Sequence, residues 1–245
     1  MSELTPSDRI LCALDTTDPH AAFGLAAKLR SHIGGVKLGL EFFGAHGPSG
    51  FDHVAKSGMP IFLDLKLHDI PNTVAKAIRA LMPLKPIIMT IHTAGGPAMM
   101  KAAATAATEA AAAVNCPRPI IVGVTILTSL DESDLAAVGL GTPVEEQVVR
   151  MARLARESGL DGVVCSPFEI SAIRAACGTG FKLVVPGIRP AGSASGDQKR
   201  IMTPQEAIGR GADYIVIGRP ITEAADPAAA ARAIAAELDS RDMPS

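Results

Sequence analysis

Aromatic side chains are nearly missing from this chain of 245 residues, which has seven Phe, one Tyr and no Trp. Such a chain lacks the stacking platforms on which proteins hold unpaired nucleobases. An excess of one charge is missing too. Twenty-three basic and 25 acidic residues leave a formal net charge of −2, so nothing global attracts nucleic acid or an anionic membrane. Any anion site must be local. Cysteine is sparse, at positions 12, 116, 165 and 177, with no C-x-x-C spacing. That suits neither a zinc ribbon nor a disulfide framework, and reads as reduced, mostly buried thiols of a cytoplasmic protein. Long apolar runs are lacking. The Ala-rich stretch 102–114 is broken by Thr105, Thr108 and Glu109 and is too short to span a bilayer. The opening MSELTPSDRI has no basic run followed by an apolar segment, so no signal peptide is expected. Neither G-x-x-x-x-G-K-[ST] nor G-x-G-x-x-G occurs, which takes support from nucleoside-triphosphate and dinucleotide readings, and no G-x-S-x-G elbow is evident.

What is present is apolar and periodic. Hydrophobic residues make up 48% of the chain and charged residues 20%, which argues against disorder. Eight short, nearly continuous apolar runs recur, at 9–15, 35–39, 60–66, 87–93, 119–127, 162–166, 182–188 and 213–219. Continuous rather than alternating runs mark parallel strands covered on both faces. Helical faces lie between them, as in Ala22, Leu25, Ala26, Leu29 and Ile33, and again in Val144, Val148, Met151, Ala152 and Ala155. Thr142-Pro143-Val144-Glu145, Ser166-Pro167-Phe168-Glu169 and Thr203-Pro204-Gln205-Glu206 each read as an N-cap, a proline at the first helical position and an acid at the third. Asp18-Pro19 and Asp226-Pro227 are shorter versions. Eight strands alternating with helices in this length predict an α/β fold, a single-domain (β/α)8 TIM barrel over residues 1–245. A doubly wound open sheet is the alternative, because strand number alone does not prove closure. The polar stretch 191–200 reads either as a plain surface loop or as a lid after the seventh strand.

In such a barrel the C-terminal strand ends build the active site. Those ends carry Asp15, Lys37, Asp64 with Lys66, His92 with Thr93, Thr125 with Thr128, Ser166, Arg189 and Arg219. The densest cluster is Asp64-Leu65-Lys66-Leu67-His68-Asp69. Strand alternation sets Asp64 and Lys66 on one face and Leu63 and Leu65 on the other. The preceding Ile61-Phe62-Leu63 is apolar, so the two charges arrive at the edge of a core, where they need partners. Lys37 and Asp69 are candidates to extend the array. Charge spacing alone leaves a structural ion-pair network and a catalytic cluster equally open. The interleaved lysines disfavour a metal site. A second cluster points to phosphate. Strand seven exits through Pro186-Gly187-Ile188-Arg189-Pro190 and strand eight through Gly218-Arg219-Pro220, with Gln198 in the polar loop between. Glycine lets a ligand approach the backbone, and arginine offers a fork of donors. His68 reads as structural, His92 as a secondary candidate for the pocket wall, and Cys165 as core.

The extended run DLKLHDIPNT from Asp64 to Thr73, with PGIRP at 186–190, GDQKR at 196–200 and Gly218-Arg-Pro220, resembles the orotidine 5′-phosphate decarboxylase family in its bacterial form. Leu14-Asp15, Val36-Lys37 and the stretch from Val124 to Ser129 extend the resemblance over most of the chain. It implies a cofactor-free, metal-free decarboxylation of orotidine 5′-phosphate to UMP and CO2 in pyrimidine biosynthesis. By resemblance, Asp15 and Lys37 hold ribose hydroxyls and Asp64 sits beside the substrate carboxylate. Lys66 delivers a proton to C6, and Asp69 reaches into the neighbouring site of a homodimer. Thr128 contacts the pyrimidine, Thr73 joins the substrate-binding set, and Gln198, Gly218 and Arg219 bind phosphate with Arg189 nearby. No nucleic acid or membrane partner is implied. A metal-dependent sugar-phosphate aldolase or synthase of the same superfamily and a non-catalytic nucleotide-binding barrel remain as alternatives.

Overall fold

The structure, a computed structural model, describes residues 4–141, 143–190 and 202–239. Thr142, the stretch 191–200 and Gln198 within it lie outside those residues. All eight expected strands form: β1 (Ile10–Ala13), β2 (Gly35–Leu38), β3 (Ile61–Leu67), β4 (Ile88–His92), β5 (Ile120–Val124), β6 (Gly162–Val164), β7 (Lys182–Val185) and β8 (Tyr214–Ile217). Each pairs in parallel with the next, and β8 returns to β1 with Cys12 opposite Ile217. The sheet is therefore a closed single-domain TIM barrel, and the open-sheet alternative falls.

Closure sorts the apolar residues into two cores. Leu11, Ala13, Phe62, Ile88, Val122, Val184 and Val216 fill the barrel. Their strand neighbours Ile10, Cys12, Leu63, Met89, Ile121, Leu183 and Ile215 point outward to the helices. Burial on both faces is why the runs read as continuous rather than alternating.

The helical ring comprises α1 (Pro19–Leu29), α2 (Leu40–Ala55), α3 (Pro71–Leu81), α4 (Gly96–Ala113), α5 (Glu132–Ala137), α6 (Val144–Glu157), α7 (Ile170–Cys177), α8 (Pro204–Gly209), α9 (Arg219–Thr222) and α10 (Pro227–Asp239). Ala22, Ala26 and Leu29 of α1 and Val144, Val148, Met151, Ala152 and Ala155 of α6 are buried, as their spacing predicts. Capping boxes form at Ser166/Glu169 and Thr203/Glu206. Asp18 accepts from the N–H groups of His20 and Ala21. At α6 the expected start is one residue early. Pro143 is extended (ψ 158°) and occupies the N-cap position, so the helix begins at Val144.

One strand departs from regularity. Leu63 pairs with Met89 but Leu67 pairs with Ile91, so four steps along β3 match two along β4. The two extra residues bulge out, and Lys66 within that segment has φ 50°. A left-handed backbone is unfavourable for a side chain such as lysine, at about 1–3 kcal/mol, and such outliers gather at functional sites.

Candidate active site

The C-terminal strand ends surround a cavity of about 590 Å³. One side is charged. Lys37 enters from β2, and Asp64 and Lys66 from β3, while Asp15 follows β1. The Lys66 ammonium lies 2.8 Å from Asp64 Oδ2, the Lys37 ammonium 3.5 Å from the same oxygen, and Lys37 also lies 3.7 Å from Asp15. Acid and base thus alternate along Asp15, Lys37, Asp64 and Lys66. Opposite them the wall is apolar, with Val124, Ile126, Val164, Val184 and Val216. Thr128 lines the cavity after β5, and Gly187 and Arg189 line it after β7. Gly218 and Arg219 follow β8.

Lys37, Asp64 and Lys66 are largely withdrawn from water, whereas the Asp15 side chain is 68% exposed. Burial by itself would raise the Asp64 carboxyl. The Lys37 and Lys66 charges, with hydrogen bonds from Lys66 and Thr90, outweigh that and hold it below the ordinary carboxylate range. Asp64 is therefore an anion shared by two ammoniums. The nearby thiols are held toward their neutral form. Burial, with Asp15 adding to it against Lys37, pushes Cys12 up to about 12. Burial also pushes Cys165, on the cavity wall, well above the ordinary thiol value.

Backbone geometry shapes the side of the cavity where β7 and β8 end. Gly187 has φ 78° where the chain leaves β7, a conformation suited to glycine. Gly218 is different. A Cβ there would meet nothing closer than 3.6 Å, at Ala13 Cβ. Packing does not demand glycine at 218, and its bare backbone faces the cavity beside Arg219. Buried Arg189 brings a second guanidinium to the same wall.

Several expected residues lie elsewhere. Asp69 does not extend the array within this chain. It is exposed past the end of β3, and its carboxylate accepts from the Ile70 N–H at 2.6 Å. Thr73 is exposed in the first turn of α3. Neither lines the cavity. Nor does His92, whose ring packs 5.4 Å from that of His68. Burial first, then the charges of His68 and Lys66, push His92 below its ordinary value. Thr125 and Thr93 are buried and donate to the Val164 and Val124 carbonyls. Ser166 is spent on its capping box. Sequence reasoning missed Thr90. It is buried in β4, donates to Asp64 Oδ1 at 2.9 Å and accepts from the Lys66 N–H at 2.8 Å. Its signal was a hydroxyl in register with Ile88 and His92, on the strand face that turns into the barrel.

Fold and site together define a (β/α)8 barrel enzyme whose cavity sets an acid–base array, largely buried at Lys37, Asp64 and Lys66, beside two arginines at the ends of β7 and β8. The profile described as the orotidine 5′-phosphate decarboxylase / HUMPS family matches residues 8–234. The chain is 56% identical over 240 residues to the orotidine 5′-phosphate decarboxylase of Moorella thermoacetica, covering 98% of this chain and 95% of that one. It is 55% identical over 229 residues to the enzyme of that name from Paramagnetospirillum magneticum, covering 94% and 97%. The crystal structure of orotidine 5′-phosphate decarboxylase from Lactobacillus acidophilus superposes with a TM-score of 0.82 at 37% identity, covering 94% of this chain and 99% of that one. The chain belongs to the orotidine 5′-phosphate decarboxylase / HUMPS family.

Proposed function

We propose that Lys66 protonates C6 of the substrate as CO2 leaves, in the reaction that this chain catalyses: decarboxylation of orotidine 5′-phosphate to UMP in pyrimidine biosynthesis. Near-full-length identity of 51–56% to enzymes of that name carries the reaction and turns against the aldolase and synthase alternative. The observation that carries the residue assignment is the Lys66 ammonium, 2.8 Å from Asp64 at the charged wall of the cavity.

The bond from C6 to the carboxylate breaks and its electron pair stays on C6. No neighbouring carbonyl is placed to take up that pair easily, so the protein must meet the charge. A fixed ammonium does so electrostatically, then gives its proton to C6 and regains one from water. Asp64 holds that ammonium in place at 2.8 Å, and stands beside the departing carboxylate. Lys37 and Asp15 hold the ribose hydroxyls, and Thr128 the pyrimidine. Arg219, the Gly218 backbone, Arg189 and Gln198 hold the phosphate. Binding at that remote end helps organise the charges around the reacting carbon.

Asp69 and Thr73, exposed and outside this chain's own cavity, suit a homodimer in which each chain completes its partner's site. This reading uses no metal and no cofactor. Among the described residues no group of three or more His, Cys, Asp or Glu could hold a metal ion, and no helix is long and apolar enough to cross a membrane. The protein acts in the cytoplasm, as one catalytic domain over residues 1–245.

The test is loss of the orotidine 5′-phosphate chromophore with EDTA present, for the natural protein and Lys66→Ala. Rapid loss in the natural protein only, with UMP still bound by the variant, is the expected result. A Lys66→Ala variant that keeps most of its kcat overturns the proton-donor role.

A further inference from the structure

We propose that Thr90 is a positioning residue for the reaction, the link that fixes the Lys66 ammonium relative to Asp64. The inference rests on the roles proposed above for those two residues. Ile88, Thr90 and His92 share one face of β4. Ile88 is part of the packing inside the barrel, so the Thr90 hydroxyl stands one layer above it, at the floor of the charged array. Thr90 is 1% exposed, so water is not an alternative partner for the groups it serves.

The hydroxyl makes two contacts that differ in kind. Its proton goes to Asp64 Oδ1, 2.9 Å away, and its oxygen accepts the Lys66 backbone N–H at 2.8 Å. A hydroxyl has one proton to give and lone pairs to receive with, so both contacts form together. The first turns the Asp64 carboxylate so that Oδ2 faces Lys66 Nζ at 2.8 Å and Lys37 Nζ at 3.5 Å. The second ties down the backbone of Lys66 where β3 leaves its register with β4 and φ reaches 50°. In a regular strand that N–H, at an even position like Pro60, whose carbonyl accepts from Val36 of β2, would face β2 rather than β4. Here the bulge turns it to β4 and the Thr90 side chain takes it.

One hydroxyl therefore holds the main chain of the proton donor and the side chain of its counter-ion. The two ends of Lys66 are referred to the same point. Placement matters because a donor displaced by about 1 Å can slow a reaction on the order of 100-fold while leaving binding intact. Valine matches threonine in shape but neither accepts nor donates. Serine keeps both hydrogen-bonding functions and loses only a methyl group.

The experiment compares Thr90→Val, Thr90→Ser and Lys66→Ala with the natural protein for kcat, KM and UMP binding. Thr90→Val is expected to lower kcat by about 10–100-fold, with KM and UMP affinity within about threefold. Thr90→Ser is expected to restore most of kcat. A merely structural role would lower the fraction of folded enzyme or raise KM, and would not be cured by the hydroxyl alone. The inference is overturned if Thr90→Val keeps its natural kcat, if its loss lies in KM, or if Thr90→Ser is as slow as Thr90→Val. Should Thr90→Val fail to fold, Thr90→Ala read against Thr90→Ser gives the same comparison. Lys66→Ala separates the two claims. If it stays active, the assignment of the proton donor fails. If it is inactive while Thr90→Val is unimpaired, only the role of Thr90 fails.

Discussion

At the end of the barrel where the strands begin, Asp213 precedes β8 and accepts from Arg174 at 2.7 Å, Lys182 at 2.8 Å and the Leu183 backbone N–H of β7 at 2.9 Å. Asp161 does the same before β6, taking Arg118 at 2.6 Å and the Ile121 N–H of β5 at 2.7 Å. At the opposite end Asp64 also holds two cations, but its third partner is the Thr90 hydroxyl, and one of its lysines sits on a left-handed backbone. The lower acids use their charge to pin neighbouring strands together. The upper acid uses its charge to hold ammoniums at a cavity wall. Similar residue types thus serve stability at one end and, on the reading proposed above, chemistry at the other, and what separates them is whether the carboxylate also takes a backbone N–H of a neighbouring strand.

That contrast predicts where substitutions act. The largest effect belongs to the upper end: Lys66→Ala should lower kcat by at least about 10²–10⁴-fold, the range for a lost general acid. Its unfolding midpoint in urea should move less than that of any lower-end acid variant. A stability loss as large as the activity loss would erase the contrast.

Next comes Asp213→Ala. Removing the acid leaves Arg174 and Lys182 facing each other, both mostly buried, and should destabilise by about 3–5 kcal/mol. Urea denaturation measures it. The folded fraction should keep its natural kcat, and a kcat loss in fully folded protein would break the distinction between the two ends.

Arg219→Ala should weaken nucleotide binding by about 10–100-fold, the worth of a charge-assisted hydrogen bond or two. It should leave binding of the phosphate-free nucleoside little changed, and calorimetry with both ligands decides. Equal losses would remove the phosphate role.

Acid sharpens the comparison further. Asp64 titrates below the ordinary carboxylate range when folded. The stability it contributes is complete above that range and is lost as pH falls through the lower, folded value. The stability difference between Asp64→Asn and the natural protein should therefore shrink over that acid interval. A difference constant with pH would show that Asp64 titrates normally.

The smallest effect is at neither end. The Arg79–Glu109 pair is solvent-exposed at 2.8 Å, and Arg79→Ala should change stability by less than about 1 kcal/mol. A larger change would mean that exposure does not separate this pair from the two rims.

The sequence alone made the barrel legible because strands buried on both faces write themselves as unbroken apolar runs, and because capping boxes such as Thr203/Glu206 form within four residues. It placed Asp15, Lys37, Asp64, Lys66, Thr128, Arg189, Gly218 and Arg219 at strand ends, and closure brings all eight to one cavity. Residue identity and local periodicity suffice for that, since each depends on a few neighbouring positions. Tertiary structure decided the rest. Only pairing between β3 and β4 could show the slipped register, the left-handed Lys66 and the Thr90 hydroxyl joining residues 24 and 26 positions away. Only the closed fold could put Asp69 and Thr73 outside the cavity that Asp64 and Lys66 enter, though they share one motif. A strand fixes the directions of its side chains by counting. Where it bulges or ends, contacts with distant strands set those directions, and sequence spacing no longer carries them.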